Sequence, residues 1–168
     1  MTRRSLSKRA AVVTGAAVLV LGTVGTVAAA AGPPQHRPSH PGKDRIAALF
    51  DTWNKALQTG DPRKVADLYA RDAVLLPTVS NEIRTDRAEI VDYFEHFLRN
   101  EPVGTKIESR VNVLDGNSAI DTGIYAFTLT DPKTGAKSTV KARYTYAYEK
   151  RNGTWLIVNH HSSKMPEG

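Results

Sequence analysis

A short polar segment, His160-His161-Ser162-Ser163, lies one residue after an apolar stretch near the C-terminal end of the chain. Imidazole can act as a general acid or base near neutral pH, and a serine hydroxyl can both donate and accept hydrogen bonds. Polar side chains at the end of a core strand need solvent, a pocket or a partner, because unpaired buried polar groups are costly. The segment is therefore a candidate site, although it does not specify a reaction.

The strand register decides which of the two histidines can reach a pocket. Side chains alternate along a strand, so His160 and His161 face opposite sides, which argues against a joint metal site. The preceding Asn152-Gly153 predicts a hairpin. A two-residue turn places Tyr144 opposite His161, whereas a bulge at Gly153 gives a three-residue loop with Tyr144 opposite His160. The residues alone leave both registers open, and either histidine could have a structural or interface role instead.

Tyrosines and an aspartate on two neighbouring strands supply further candidate groups. Tyr144 and Tyr146 alternate along one strand, so they share a face, where they either line a pocket or fill the sheet surface. Asp121 shares a face with Tyr125 on the preceding strand. A buried Asp121 would have a raised pKa and could act as a general base. The alternative is an ion pair between Asp121 and Arg143.

Length, composition and charge limit the class of protein. The chain has 168 residues and a formal net charge of +6, which suits one domain with appendages. Residues 1–31 carry four basic and no acidic residues, which leaves +2 for the rest of the chain. No dense basic face remains, so no nucleic-acid partner is predicted. The chain has no cysteine, which excludes disulfides and thiolate metal sites.

The N-terminal residues predict export. Residues 2–8 resemble a twin-arginine signal, with Arg3-Arg4 in place and Ser7 where an apolar residue is usual. A mildly apolar stretch follows and ends in small residues suitable for cleavage near Ala31, so 1–31 is predicted to be a signal peptide. An uncleaved membrane anchor is the alternative. Residues 32–43 hold four prolines and predict a linker, whose two histidines are expected to be flexible and not metal-bound.

Residues 44–168 predict an α+β domain. Helical periodicity predicts three helices: one over 44–59, a second capped by Asp61, and a third that begins near Thr85 or Asp86. Val65, Leu68 and Tyr69 are predicted to form the apolar side of the second helix. From residue 105 the period changes to two, which indicates strands. Helices packed on one face of a curved antiparallel sheet would form a cone with an open mouth. The strands are predicted over 106–114, 118–130, 137–150 and 154–163, after a short edge strand over 73–76.

The order of elements and several segments resemble the nuclear transport factor 2-like superfamily. Within it, residues 59–77, 119–129, 142–163 and 165–167 resemble the calcium/calmodulin-dependent protein kinase II association-domain family and its bacterial SgcJ/EcaC-type, SnoaL-like members. The resemblance covers about 44–167 and implies a cone-shaped domain with a deep pocket that assembles as a dimer or larger ring. In the kinase, pocket arginines hold small carboxylates, and the matching positions here are Tyr125, Tyr146 and Ser162. That pattern favours the bulged register, with His160 in the pocket.

These observations predict an exported protein that binds a small organic molecule in the cone and self-associates. The alternatives are an isomerase, cyclase or dehydratase that transfers protons through Asp121 or His160 with tyrosine donors, and a pure oligomerisation module. The bacterial branch carries an oxidoreductase label, but no dinucleotide or flavin motif supports it, and no cofactor or metal is predicted. The membrane is involved only through the export signal. The predicted catalytic residues are Asp121 and His160, and the predicted ligand-binding residues are Trp53, Tyr125, Arg143, Tyr144, Tyr146, His160, His161 and Ser162.

Overall fold

The computed structural model describes residues 40–78 and 80–166. The predicted signal peptide and most of the predicted linker lie outside these residues, so both stay predictions. Within the described part, the chain forms helices α1 to α4 and strands β1 to β5. The helices are α1 Lys43–Ala47, α2 Leu49–Leu57, α3 Pro62–Ala66 and α4 Arg87–Phe97, and the strands are β1 Tyr69–Leu76, β2 Val103–Val113, β3 Ser118–Thr130, β4 Lys137–Arg151 and β5 Thr154–Lys164.

The helices begin where local sequence signals predict. The expected helix over 44–59 forms as α1 and α2, which follow each other through Ala48 in a helical conformation. Asp61 caps α3 by accepting a hydrogen bond from the backbone N–H of Arg63 at 2.9 Å. Asp86 caps α4 in the same way through the N–H of Glu89, also at 2.9 Å. These caps satisfy N–H groups that have no partner inside the helix.

The five strands form one sheet in the order β1-β5-β4-β3-β2. Strands β2 to β5 form the predicted antiparallel meander, whereas β1 pairs in parallel with β5 and places Leu75 opposite His160. Strand β1 also begins earlier than expected, at Tyr69, which the sequence assigned to the second helix. The reason is tertiary pairing: the carbonyl of Leu68 accepts a hydrogen bond from the N–H of Ile157 at 2.9 Å, which draws this segment into the sheet.

The hairpin between β4 and β5 corrects both expected registers. Arg151 pairs with Thr154, so Asn152-Gly153 forms a two-residue turn, with φ of 51° and 84°. Such a turn matches the twist of the flanking strands. The bulge lies further along β5, where Val158 is the extra residue, and the expected bulge at Gly153 is wrong. His160 therefore faces Tyr146 and lies inside, with 3% of its surface exposed.

The two faces of the sheet differ. The inner face packs aromatic side chains against the helices, with Phe50 and Trp53 of α2 against Tyr125, Tyr144 and Tyr146. The outer face stays partly exposed along β3 and β4. The core and any enclosed site therefore lie between the helices and the inner face. In residues 40–78 and 80–166, no helix has the length and apolarity needed to cross a membrane.

Candidate functional site

A cavity of about 140 Å³ lies between the inner face of the sheet and the helices. An engineered apolar cavity of about 150 Å³ takes up benzene, so this volume suits a small aromatic molecule. The polar residues of the described lining are Thr78, Asn100, His160 and Ser162, and none of the described lining residues is charged at neutral pH. The remaining lining residues are Trp53, Leu75, Pro77, Tyr93, Phe94, Phe97, Tyr125, Phe127, Leu129, Val140 and Ala142.

A chain of hydrogen bonds fixes the protonation of His160. The indole N–H of Trp53 donates to the Oη of Tyr69 at 3.1 Å, and Tyr69 Oη lies 2.8 Å from Nδ1 of His160. The indole nitrogen can only donate, and among the described residues Nδ1 of His160 is the one acceptor within hydrogen-bond distance of the Tyr69 Oη. We therefore assign Tyr69 as accepting from Trp53 and donating its own proton to the imidazole. The proton of neutral His160 therefore lies on Nε2. This Nε2 is buried and has no hydrogen-bond partner among the described residues.

The surroundings of His160 keep the imidazole neutral. It stacks on Tyr146, with ring centroids 4.2 Å apart, and meets the ring of Trp53 at a nearly perpendicular angle, with centroids 5.5 Å apart. Burial, and to a smaller degree the nearby charge of His161, lowers the pKa of His160 to about 3. A neutral imidazole with its proton on Nε2 suits donation to a ligand better than proton abstraction at Nε2.

Three hydroxyl groups form a second polar cluster in the cavity wall. The Oη of Tyr125 donates to the Oγ of Ser162 at 2.6 Å, and the same Oγ is hydrogen-bonded to the Oγ1 of Thr78. Burial raises the pKa of the Tyr125 phenol, so the phenol keeps its proton and acts as a donor. Thr78 follows the end of β1, and the parallel pairing of β1 with β5 brings it next to Ser162.

Asp121 lies on the inner face of β3, but it does not line this cavity. Its Oδ1 accepts hydrogen bonds from the Oγ of Ser109 at 2.6 Å and from the Oη of Tyr144 at 3.3 Å. Burial raises the pKa of this carboxyl, against the opposing effects of the Ser109 hydrogen bond and the Lys106 charge. The alternative ion pair with Arg143 is wrong, because Arg143 is exposed on the opposite face of β4.

The structure brings together part of the predicted ligand-binding set. Trp53, Tyr125, His160 and Ser162 line the cavity. Tyr146 is fully buried beneath His160, and Tyr144 lies against Asp121, so neither is part of the cavity wall. The predictions of His161 and Arg143 as pocket residues are wrong, because strand alternation directs both to the outer face.

Sequence reasoning missed Tyr69, Thr78, Asn100 and Tyr93. Tyr69 was assigned to a helix, and no local pattern relates it to His160, which is 91 positions away. Thr78 and Ser162 are likewise 84 positions apart. Tyr93 lies on α4 and Asn100 lies just after it. The apolar stripe of this helix could have indicated that the helix forms one wall of the cavity. No group of three or more His, Cys, Asp or Glu residues arranged to hold a metal ion occurs in the described part of the chain.

Helices followed by a curved, unclosed sheet, with a cavity between them, define the nuclear transport factor 2-like fold, as the sequence predicts. Residues 42–166 match the family model described as calcium/calmodulin dependent protein kinase II association domain. The chain belongs to this family, which confirms the resemblance derived from its motifs. A comparison with curated proteins gives no match.

Solved structures agree with this assignment. The chain is 63% identical to a calcium/calmodulin dependent protein kinase II association-domain protein from Xanthomonas campestris, with a TM-score of 0.72, over 74% of this chain and 88% of that one. It is 15% identical to the association domain of C. elegans CaMKII, with a TM-score of 0.60, over 73% and 95% of the two chains. A nuclear transport factor 2-like protein from Salmonella enterica is 16% identical, with a TM-score of 0.65, over 74% and 92%. The last two similarities concern the fold alone.

Proposed function

We propose that the protein binds a small organic molecule in the cavity. The observation that carries this proposal is an aromatic cavity of about 140 Å³ whose wall contains His160, with its buried Nε2–H unpaired among the described residues. An unfilled cavity lowers stability, and an unpaired buried donor costs about 1–3 kcal/mol. A bound molecule would offset both costs, which supports an occupant over a purely structural role.

A substitution that fills the cavity from its rim tests the proposed ligand binding. Val140 lines the cavity but is only half-buried, so Val140→Phe can place its ring in the cavity without displacing the deep core. The neighbouring Thr139 is exposed, and Thr139→Phe is the matched control. In a thermal-shift screen of small aromatic compounds, we expect the same compounds to raise the Tm of the wild type and of Thr139→Phe, but not of Val140→Phe. The proposal is contradicted if no compound raises the Tm of the wild type, or if the compounds that do so also raise the Tm of Val140→Phe.

We propose binding in preference to proton transfer. Among the described lining residues there is no carboxylate, and His160 carries its proton on Nε2. Asp121, the other predicted catalytic residue, lies outside the wall. An isomerase-type reaction needs a base within reach of the ligand. Isomerisation or dehydration of a bound compound, abolished by Val140→Phe, would contradict a purely binding role.

We also propose self-association through the outer face of the sheet. The family is described as an association domain, and this face presents half-exposed apolar side chains, including Ile120, Ile124 and Leu156. Ala147 lies opposite Ile120 near the middle of the face. Light scattering should give the mass of a dimer or larger assembly for the wild type. Ala147→Arg should reduce it to a monomer, whereas Gln58→Arg, at an exposed position beyond α2, should not. A monomeric wild type contradicts the proposal.

Export remains a proposal that rests on residues 1–31. The paired Arg3-Arg4 and the small residues before residue 32 support a cleaved twin-arginine signal. Cell fractionation of the full chain should find the shortened protein outside the cytoplasm. Replacing both arginines by lysine should retain it inside. Export that is unaffected by this change would indicate another route, and a full-length protein held in the membrane would indicate an anchor.

A further inference from the structure

The cavity wall offers hydrogen-bond donors and no charged side chain, and this combination restricts the class of ligand. We propose that the ligand is an uncharged molecule, about the size of a benzene derivative, that carries an acceptor oxygen such as a ketone carbonyl. The oxygen accepts from the Nε2–H of His160 and from a hydroxyl of the Ser162 and Thr78 pair. This inference rests on the proposed binding function and adds the chemistry of the ligand.

The first donor is the Nε2–H of His160. Tyr69 occupies Nδ1, so the imidazole cannot turn this nitrogen toward a ligand without losing the hydrogen bond of 2.8 Å. The Nε2 is buried and has no partner among the described residues, yet His160 is part of the cavity wall. A ligand that packs against His160 would supply the acceptor that this buried nitrogen lacks.

The second donor follows from counting protons. Tyr125, Ser162 and Thr78 carry three hydroxyl groups that form two hydrogen bonds with one another. Each hydroxyl has one proton and each hydrogen bond uses one, so one O–H has no acceptor among the residues that the structure describes. Because Tyr125 donates to Ser162, the spare O–H belongs to Ser162 or Thr78, whichever accepts in their mutual bond. Both residues line the cavity.

The two donors lie on one side of the cavity. His160 and Ser162 are two positions apart on β5, so their side chains share the inner face, with Cα atoms about 7 Å apart. A carbonyl oxygen has two lone pairs and can accept two hydrogen bonds. The aromatic walls then pack against the apolar part of the molecule. This arrangement fits an aromatic or cyclic ketone better than a hydrocarbon, which would leave both donors unpaired.

A carboxylate ligand would meet no compensating charge from the described part of this wall, where no Lys or Arg is among the lining residues. Arg84 lies beside the rim, in a depression that also contains Tyr93 and Asn100. Its guanidinium is already bound to Asp92 at 3.0 Å and to Glu82 at 3.2 Å. Burying an unpaired carboxylate costs several kcal/mol. The neutral wall and the pairing of Arg84 with Asp92 and Glu82 therefore disfavour anions, although the buried Nε of Arg84 has no partner among the described residues.

Three probes of matched size and shape test the inference: acetophenone, benzoate and cumene. By calorimetry on the purified full chain, we expect acetophenone to bind at least tenfold more tightly than benzoate, with cumene weaker than acetophenone. Benzoate binding as tightly as acetophenone would overturn the inference while leaving the binding function intact. Cumene binding as tightly as acetophenone, or no binding of any probe, also overturns it. In each of these cases, the proposed binding function is still tested separately by the thermal-shift screen of small aromatic compounds.

A variant and a spectroscopic readout identify the donor. His160→Phe keeps the aromatic stack and removes the Nε2–H, so acetophenone should lose its advantage over cumene. His161→Phe, on the outer face, should keep that advantage. Because His160→Phe could also affect folding, the infrared carbonyl stretch of acetophenone bound to the wild type gives an independent test. The stretch should shift to lower frequency than in an apolar solvent, and an unshifted band contradicts a hydrogen-bonded carbonyl.

Discussion

The Oη of Tyr69 lies 2.8 Å from the Nδ1 of His160, although the two residues are 91 positions apart in the chain. Tyr69 also accepts a hydrogen bond from Trp53, so its own proton is directed at the imidazole. Tyr69, on β1, thus determines which imidazole nitrogen of His160, on β5, carries the proton. With this tautomer, His160 presents an N–H at Nε2 and has no free lone pair there to act as a base.

The first prediction concerns this tautomer. Nitrogen-15 NMR of the wild type should show neutral His160 with its proton on Nε2. Tyr69→Phe should remove the preference for this tautomer and lower the free energy of unfolding by about 1–3 kcal/mol, because Trp53 and Nδ1 lose their buried partner. Tyr93→Phe, at a tyrosine that lines the cavity and makes no contact with Nδ1 of His160, is the control and should leave the tautomer unchanged. A proton on Nδ1 in the wild type would contradict the hydrogen-bond assignment.

The second prediction concerns acid stability. The pKa of His160 is about 3 in the folded chain and 6.5 ordinarily, so between these values the unfolded chain binds a proton that the folded chain does not. The free energy of unfolding should therefore fall as the pH decreases through this window, by up to about 1.4 kcal/mol per pH unit. Urea titrations at several pH values measure the slope.

The control variants isolate the group responsible. His160→Phe should flatten this slope, whatever its effect on stability at neutral pH. His96→Gln, which replaces an exposed histidine of α4, is the control for the loss of a histidine elsewhere in the chain. Equal slopes in the wild type and in His160→Phe would show that another group determines the acid sensitivity.

The residues that form the site differ in how far the sequence could predict them. The caps at Asp61 and Asp86 depend on neighbours within one helical turn, so local patterns predict them correctly. The inward orientation of His160 was expected from a bulge at Gly153, whereas the bulge lies at Val158. A single bulge anywhere between the turn and His160 reverses the face of the sheet on which His160 lies. The bulge expected at Gly153 was in the wrong position, but it therefore still predicted the correct face.

Tyr69 and Thr78 could not be predicted as site residues. Their contacts with His160 and Ser162 depend on the parallel pairing of β1 with β5. A parallel pair needs a long connection, and the hydrophobic period of β1 is the same whichever strand lies beside it. The helical assignment of Tyr69 followed local propensity, which tertiary pairing overrode.

The third prediction concerns the buried carboxyl of Asp121. Burial raises its pKa, so the folded state binds the proton more tightly than the unfolded chain, and ionisation at higher pH lowers stability. Asp121→Asn keeps an oxygen that can accept from Ser109 and Tyr144 but carries no charge. Its stability relative to the wild type should rise as the pH increases above about 4, by about 1.4 kcal/mol per unit of raised pKa. If the stability of Asp121→Asn relative to the wild type instead falls as the pH rises, nearby cations stabilise the Asp121 carboxylate.

The fourth prediction concerns the close approach of β2 and β3 at Gly123. A Cβ at this position would lie 1.9 Å from the carbonyl oxygen of Glu108, a backbone atom that cannot rotate away. Gly123→Ala should therefore lower the free energy of unfolding by about 3 kcal/mol or more. Gly116→Ala, where a Cβ meets nothing within 4 Å, is the matched control and should be close to neutral. Equal urea midpoints for both variants would contradict the register of β2 and β3.

The position of β5 has a consequence for synthesis on the ribosome. It is the last strand of the described chain, but it lies between β1 and β4 in the sheet. While the chain emerges, β1 has no partner and its edge is open to other chains. His160 and Ser162 leave the ribosome among the last residues of the domain, so the wall of the cavity is completed only after translation of β5. Long-range pairing of this kind folds slowly, and we expect the nascent chain to be most prone to aggregation in the interval before β5 is inserted.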